Sequence, residues 1–155
     1  MKFLKFFKII EIDNLPVSWA LKTSIQRDRV NGVLKISQEQ FTKAFLQAQG
    51  VSESDTSSIP VVTSGPDLEM SEEDLSGPEQ SLAKFQSSIG SLWWLAQVSR
   101  PDIFFAVHRA SKFQNRPSEK LWRWLKKIKS YLNVTQSHGI VFNRVPQSHD
   151  ENDYS

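Results

Sequence analysis

The sequence predicts an α+β chain: an N-terminal β-hairpin and helix, an acidic linker, a three-helix bundle and a short C-terminal strand. Three observations predict it. Two alternating apolar–polar runs flank Asn31-Gly32, a strong turn pair. A stretch rich in Asp, Glu, Ser and Pro then lacks any apolar period. Beyond it, apolar residues recur at helical spacing in three segments, the second and third introduced by Pro101 and Pro117.

The elements follow in order. Ala20–Ile25 and Val33–Ile36 form the hairpin strands, and Ser37 is placed to cap a helix running to about Gln49, with Gln40 completing a capping box. Phe41, Ala44, Phe45 and Ala48 give that helix an apolar stripe, and Gly50 ends it. Residues 51–78 read as a long mobile linker. Between Val51 and Gln80 lie Glu53, Asp55, Asp67, Glu69, Glu72, Glu73, Asp74 and Glu79, without Lys or Arg. The first bundle helix runs from about Glu79 to Ser99, with Phe85, Ile89, Leu92 and Ala96 on one face. Pro101 suits the first position of the second helix, where its missing N–H costs nothing, and Ile103, Val107 and Ala110 face the core. Pro117 repeats the device for the third, whose stripe is Leu121, Trp124, Leu125, Ile128 and Leu132. Gly139–Phe142 is a short strand, and residues 143–155 read as a disordered tail.

Composition narrows the functions. The chain has 155 residues, 39% hydrophobic and 23% charged, within the range of one ordinary domain. It has no cysteine, which excludes disulfides, thiolate metal sites and cysteine nucleophiles. A net charge of +2 is uninformative, but eight Lys and Arg residues between Pro101 and Asn133 could contact phosphates or simply form a solvated helix face. Lys5 and Lys8 interrupt the apolar start, so no secretion signal is read. The expectation is an intracellular chain, cytoplasmic or nuclear, without a membrane partner.

No complete active site is legible. The chain has no Asp-Asp pair to hold two divalent metals, and His108, His138 and His149 lack metal-ligand spacing. No catalytic and no metal-binding residue is assigned. The first bundle helix instead carries a face opposite its apolar stripe, made of Gln86, Ser87, Gly90, Ser91, Trp93 and Trp94. Gly90 costs helix stability of roughly 1 kcal/mol relative to Ala, and its use is to admit close approach. The two tryptophans fit two roles: stacking on sugars or bases, or core burial beneath the third helix with Trp122 or Trp124.

The stretch Ile89-Gly-Ser-Leu-Trp-Trp-Leu-Ala-Gln-Val-Ser-Arg-Pro-Asp-Ile103, leading to Ala106-Val107, resembles a segment of copia-type retrotransposon Pol polyproteins. There, Ile-Gly-Ser-Leu-x-Tyr-Leu leads into Thr-Arg-Pro-Asp-Ile. Trp124–Thr135 resembles that family's Leu-Lys-Arg-Ile-Leu-Arg-Tyr-Leu-Lys-Gly-Thr, and Gly139–Phe142 its Gly-Leu-x-Phe. Ile25–Gln38 resembles its Ile-x-Arg-Asp…Gly-x-Ile-x-Leu-Ser-Gln. The resemblance covers roughly Ile10 to Phe142.

It implies the region after the reverse transcriptase palm and before RNase H. Residues 1–50 would then hold the end of the palm, the primer-grip hairpin and a helix, and 79–142 a thumb-like bundle. The implied partners are an RNA–DNA or DNA duplex and the palm and RNase H domains missing here. The implied contacts are Lys22, Arg27 and Arg29 on the hairpin, Gln86, Ser87, Gly90, Ser91, Trp93 and Trp94 on the thumb helix, and Arg123 and Lys127 on the third. No cofactor is expected in this fragment, since the family polymerase binds its Mg2+ elsewhere. The departures are Lys22 for a glycine at the grip, Val134 for the glycine before Thr135, and the absence of the Tyr-x-Asp-Asp motif. The implied object is a non-catalytic, partly decayed polymerase fragment. The other readings left open are a protein-interaction module and a non-functional transposon remnant.

Overall fold

The computed structural model describes residues 19–60, 82–115 and 117–144. The expected core of the linker, the start of the first bundle helix at Glu79 and most of the expected tail lie outside these residues.

The fold is α+β. Strands β1 (Trp19–Ala20), β2 (Thr23–Asp28) and β3 (Val33–Ser37) precede helices α1 (Glu39–Ala48), α2 (Leu82–Val98), α3 (Phe104–Ser111) and α4 (Glu119–Val134), and β4 (Gly139–Asn143) closes the series. The hairpin and the C-terminal strand, expected as separate pieces, form one antiparallel sheet in the order β1-β2-β3-β4. Val33 pairs with Asn143 and Ser37 with Gly139. Asn143 is therefore sheet, not tail. Gly139 is fixed by this approach: a Cβ there would run into the Ile36 carbonyl oxygen and stand 2.9 Å from the Ser37 Cβ.

The turns differ from expectation. Asn31-Gly32 closes a four-residue loop between Asp28 and Val33. The Asp28 carboxylate organises it, accepting from the Val30 and Asn31 backbone N–H groups at 3.0 Å each. Those bonds, the Asn31 backbone one foremost, hold its pKa below the ordinary value. The tight two-residue turn lies instead between β1 and β2, where Ala20 faces Thr23. Leu21 and Lys22 have φ of 49° and 62°, the left-handed pair of a type I′ turn. Lys22 occupies the place where the copia-type pattern has glycine, so that glycine answers a backbone requirement within the chain itself.

Two helix starts differ from expectation. Ser37 is the last residue of β3 and caps nothing. Gln38 is the N-cap, without a side-chain capping bond. Pro117 precedes the cap of α4; Ser118 is that cap, its Oγ accepting from the Leu121 N–H. The end of α1 matches expectation: Gly50 (φ 65°) donates to Gln47 O and Val51 to Leu46 O, a Schellman arrangement.

The core lies among the helices. Phe45 and Leu46 of α1, Phe85, Ile89, Leu92, Leu95 and Ala96 of α2, Ile103, Ala106, Val107 and Ala110 in and just before α3, and Leu121, Trp124, Leu125, Ile128 and Leu132 of α4 form one cluster. The predicted stripes of the three bundle helices are its members. In α1 the stripe is Thr42, Phe45 and Leu46, while Ala44 and Ala48 are exposed. Core burial of this kind stabilises by roughly 1.5–3 kcal/mol per large side chain.

The left-handed backbone at Lys22 yields a prediction. An L side chain costs about 1–2 kcal/mol there. Lys22→Gly and Lys22→Ala both delete the cation held 5.4 Å above the Phe41 ring, so comparing them isolates the backbone effect. Lys22→Gly will be the more stable of the two by about 1 kcal/mol, read from urea unfolding midpoints at equal slope.

Candidate nucleic-acid interface

Helix α2 is amphipathic by phase. With Phe85, Ser88, Ile89, Leu92, Leu95 and Ala96 buried, successive 100° steps turn Gln86, Ser87, Gly90, Trp94 and Gln97 outward. Gln86, Ser87, Gly90 and Trp94 are exposed, and Ser91 is half-buried at the margin. Gln86 Nε2 donates to Asn115 Oδ1 at 3.4 Å, its one tie to the rest of the fold among the described contacts.

The two tryptophans part company. Trp94 is 37% exposed. Trp93 is half-buried and meets Phe104 of α3 edge to face, centroids 5.2 Å apart at 84°. Neither lies beneath α4 with the partners the core reading named. Trp122 packs on Phe85, and Trp124 is buried with its Nε1–H on Ala106 O.

Gly90 stands apart from the other glycines of the described fold. Gly32 and Gly50 have positive φ, and Gly139 admits no Cβ. Gly90 has neither property: a Cβ there meets nothing within 4 Å. The fold itself makes no demand for glycine at this position.

The remaining expected contacts are dispersed. Lys22, Arg27 and Arg29 are all exposed. Lys22 and Arg29 flank opposite ends of β2, about 20 Å apart by strand rise, so the three do not form one cluster. On α4, Arg123 is exposed and Lys127 half-buried. Part of that helix is overlaid by residues expected to be mobile linker. Asn133 Nδ2 donates to Ser52 O and Asp55 O, each at 3.0 Å, and Asp55 pairs with Lys126 at 3.3 Å. The backbone N–H of Ser52, then Lys126, holds the Asp55 pKa below the ordinary carboxylate value. Thr56 to Ile59 border a shallow depression with Lys127 and Val134. The start of the acidic segment is thus docked on α4, next to its cationic face.

One cluster escaped the sequence reading. Arg100, 2% exposed, grips Asp102 through Nε (3.0 Å) and Nη2 (2.8 Å). It also reaches Thr135 O (2.8 Å) and Thr135 Oγ1 (2.7 Å) at the end of α4. Tyr131 Oη donates to Asp102 Oδ2 at 2.8 Å. Burial raises the Asp102 pKa, but the bonds from Arg100 and Tyr131 outweigh it and hold the carboxyl below its ordinary value. Next to it, Ser99 Oγ donates to the buried Gln38 Oε1 at 2.9 Å. The residues of the Ser99-Arg100-Pro101-Asp102 block thus serve the fold. Among the described residues, no three His, Asp or Glu side chains gather as a metal site.

Comparison with known proteins decides the family. The chain is 31% identical over 121 residues, 77% of its length, to the retrovirus-related Pol polyprotein from transposon RE2 of Arabidopsis thaliana. It is related to the copia-type Pol polyproteins. A second Pol relative, from transposon TNT 1-94 of Nicotiana tabacum, is 27% identical over 132 residues, 82% of this chain. The chain spans only 8% and 10% of those two polyproteins. A shorter match, 37% over 60 residues, covers 39% of this chain and 42% of the secreted RxLR effector protein 161 of Plasmopara viticola. No family model and no solved structure matches the chain.

The Arg100 cluster predicts a pH signature. A depressed carboxyl pKa contributes stability that is complete above the unfolded value of about 3.9 and is lost as pH falls towards the folded value. Asp102→Asn will therefore cost about 2 kcal/mol at pH 7, and the gap to the parent chain will close on acidification below about pH 4. Urea unfolding at a series of pH values checks both.

Proposed function

We propose that this chain is a non-catalytic part of a copia-type reverse transcriptase, one that holds the template–primer duplex while transfer takes place elsewhere. The outer face of α2 is the duplex-facing surface. Gly90 carries the reading. A glycine in mid-helix costs about 1 kcal/mol relative to alanine, and the fold offers no internal reason for it, since a Cβ at this place would stand in open space. The missing side chain is explained by an external body that approaches the helix backbone closely.

The neighbours suit such a body. Gln86, Ser87 and Ser91 supply amide and hydroxyl groups to sugars and base edges, and Trp94 a ring face. A sugar–phosphate groove is lined by acceptors and flat edges, which this mixture matches better than a charged patch would. The exposed cations Lys22, Arg27, Arg29 and Arg123 are spread over other surfaces, suited to separate phosphate contacts rather than one binding pocket. Nucleotide transfer requires paired carboxylates around two metal ions. In this reading they and their Mg2+ belong to the palm of a parent polyprotein.

The test uses a labelled RNA–DNA hybrid at low and moderate salt. The chain will bind with an affinity that falls as salt rises. Gly90→Ala will fold about 1 kcal/mol more stably yet bind several-fold more weakly. Gly90→Glu will lose at least about tenfold, a like-charge penalty beside phosphate of about 1.4 kcal/mol or more. Equal binding by all three proteins, or binding indifferent to salt, would overturn the assignment.

A further inference from the structure

The surface on α2 does not stop at α2. Helix α3 buries Ala106, Val107 and Ala110, which turns Phe104, Phe105 and His108 outward, with exposed Lys112 just past its end. Phe104 is 44% and Phe105 49% exposed. Full burial of such a side chain is worth roughly 1.5–3 kcal/mol, and here two successive residues forgo nearly half of it.

The rings are ordered rather than loose. Phe104 lies within 4° of parallel to His108, centroids 6.2 Å apart, and Trp93 meets Phe104 and His108 nearly at right angles, 5.2 and 6.2 Å away. Trp93 belongs to α2, so its ring contacts link that helix to the outer face of α3.

The charge on this face has one sign. From Phe104 to Lys112 there is no carboxylate, while Lys112 is exposed. The nearest acid in sequence, Asp102, is engaged by Arg100 and Tyr131. Two half-exposed rings beside the Lys112 cation, with no acid in the intervening sequence, fit a strand whose bases are free to stack and whose phosphates are negative. A fully paired duplex hides its base faces and could not use these rings.

We propose that the outer face of α3 binds unpaired nucleotides that continue from the duplex held on α2, with Phe104 and Phe105 as stacking platforms and Lys112 on the phosphate. The continuity rests on the α2 reading; the single-strand contact does not. The test is fluorescence anisotropy with three labelled probes: a blunt RNA–DNA hybrid, the same hybrid with an overhang of about six nucleotides, and that single strand alone. The parent chain is compared with Phe105→Ala, Phe105→Trp and Lys112→Ala, each checked for an unchanged urea midpoint.

The overhang is expected to tighten binding about tenfold. Phe105→Ala should abolish most of that gain, Lys112→Ala part of it and Phe105→Trp none, with blunt-hybrid affinity the same in all. No gain from the overhang, or a gain that survives Phe105→Ala, overturns the proposal. If the blunt hybrid fails to bind while the single strand binds and loses affinity in Phe105→Ala, the α3 assignment stands and the α2 assignment falls. If no probe binds and Phe105→Ala instead abolishes self-association in sedimentation, the face is a protein contact and the proposal is wrong.

Discussion

The fold hangs on a buried guanidinium. A charge taken out of water must be paired in full, or its burial costs several kcal/mol. Arg100 meets that demand with a bidentate grip on Asp102 and two bonds to Thr135. Those bonds join the turn after α2 to the last turn of α4, whose final carbonyls lack helical partners. The residue before it, Ser99, bonds Gln38 at the junction of β3 and α1. Two successive residues therefore tie the end of α2 to the start of α1 and to the end of α4. Chain leaving α4 from that point runs directly into β4, so the clamp also sets where the last strand meets the sheet.

Seen this way, the positions that carry the likeness to Pol polyproteins fall into two groups. Gln38, Ser99, Arg100, Asp102, Thr135 and Gly139 are joints of the chain with itself. The glycine place at Lys22 is likewise a matter of backbone conformation. Gly90 is the exception, a motif position that the fold leaves unexplained. A sequence signal can be strong because many residues must cooperate to fold, and then only the remainder points outward.

What could be read from the sequence was local. Helical phase selected the buried residues of α2, α3 and α4, and the same phase selected the exposed Gln86–Gly90–Trp94 face. Errors arose where a distant partner decides. Ser37 matches a capping pattern, yet pairing with Gly139 keeps it in the strand. Asp55 sits in an acidic, periodless run, but Asn133, 78 residues away, fixes its backbone. Trp93 and Trp94 are adjacent and chemically alike; the crossing of α3 sends one against Phe104 and leaves the other partly exposed. No composition or spacing argument contains that crossing.

The pairing of β3 with β4 has a kinetic meaning. Val33 meets Asn143 across more than a hundred intervening residues, whereas every helix can form from neighbours. Closing so long a loop costs entropy that no local contact offsets in advance. During synthesis, the β2–β3 hairpin must therefore wait with one edge unpaired until nearly all the described chain has emerged. An open edge recruits other strands, and the interval before β4 arrives is the period in which this protein is most exposed to self-association.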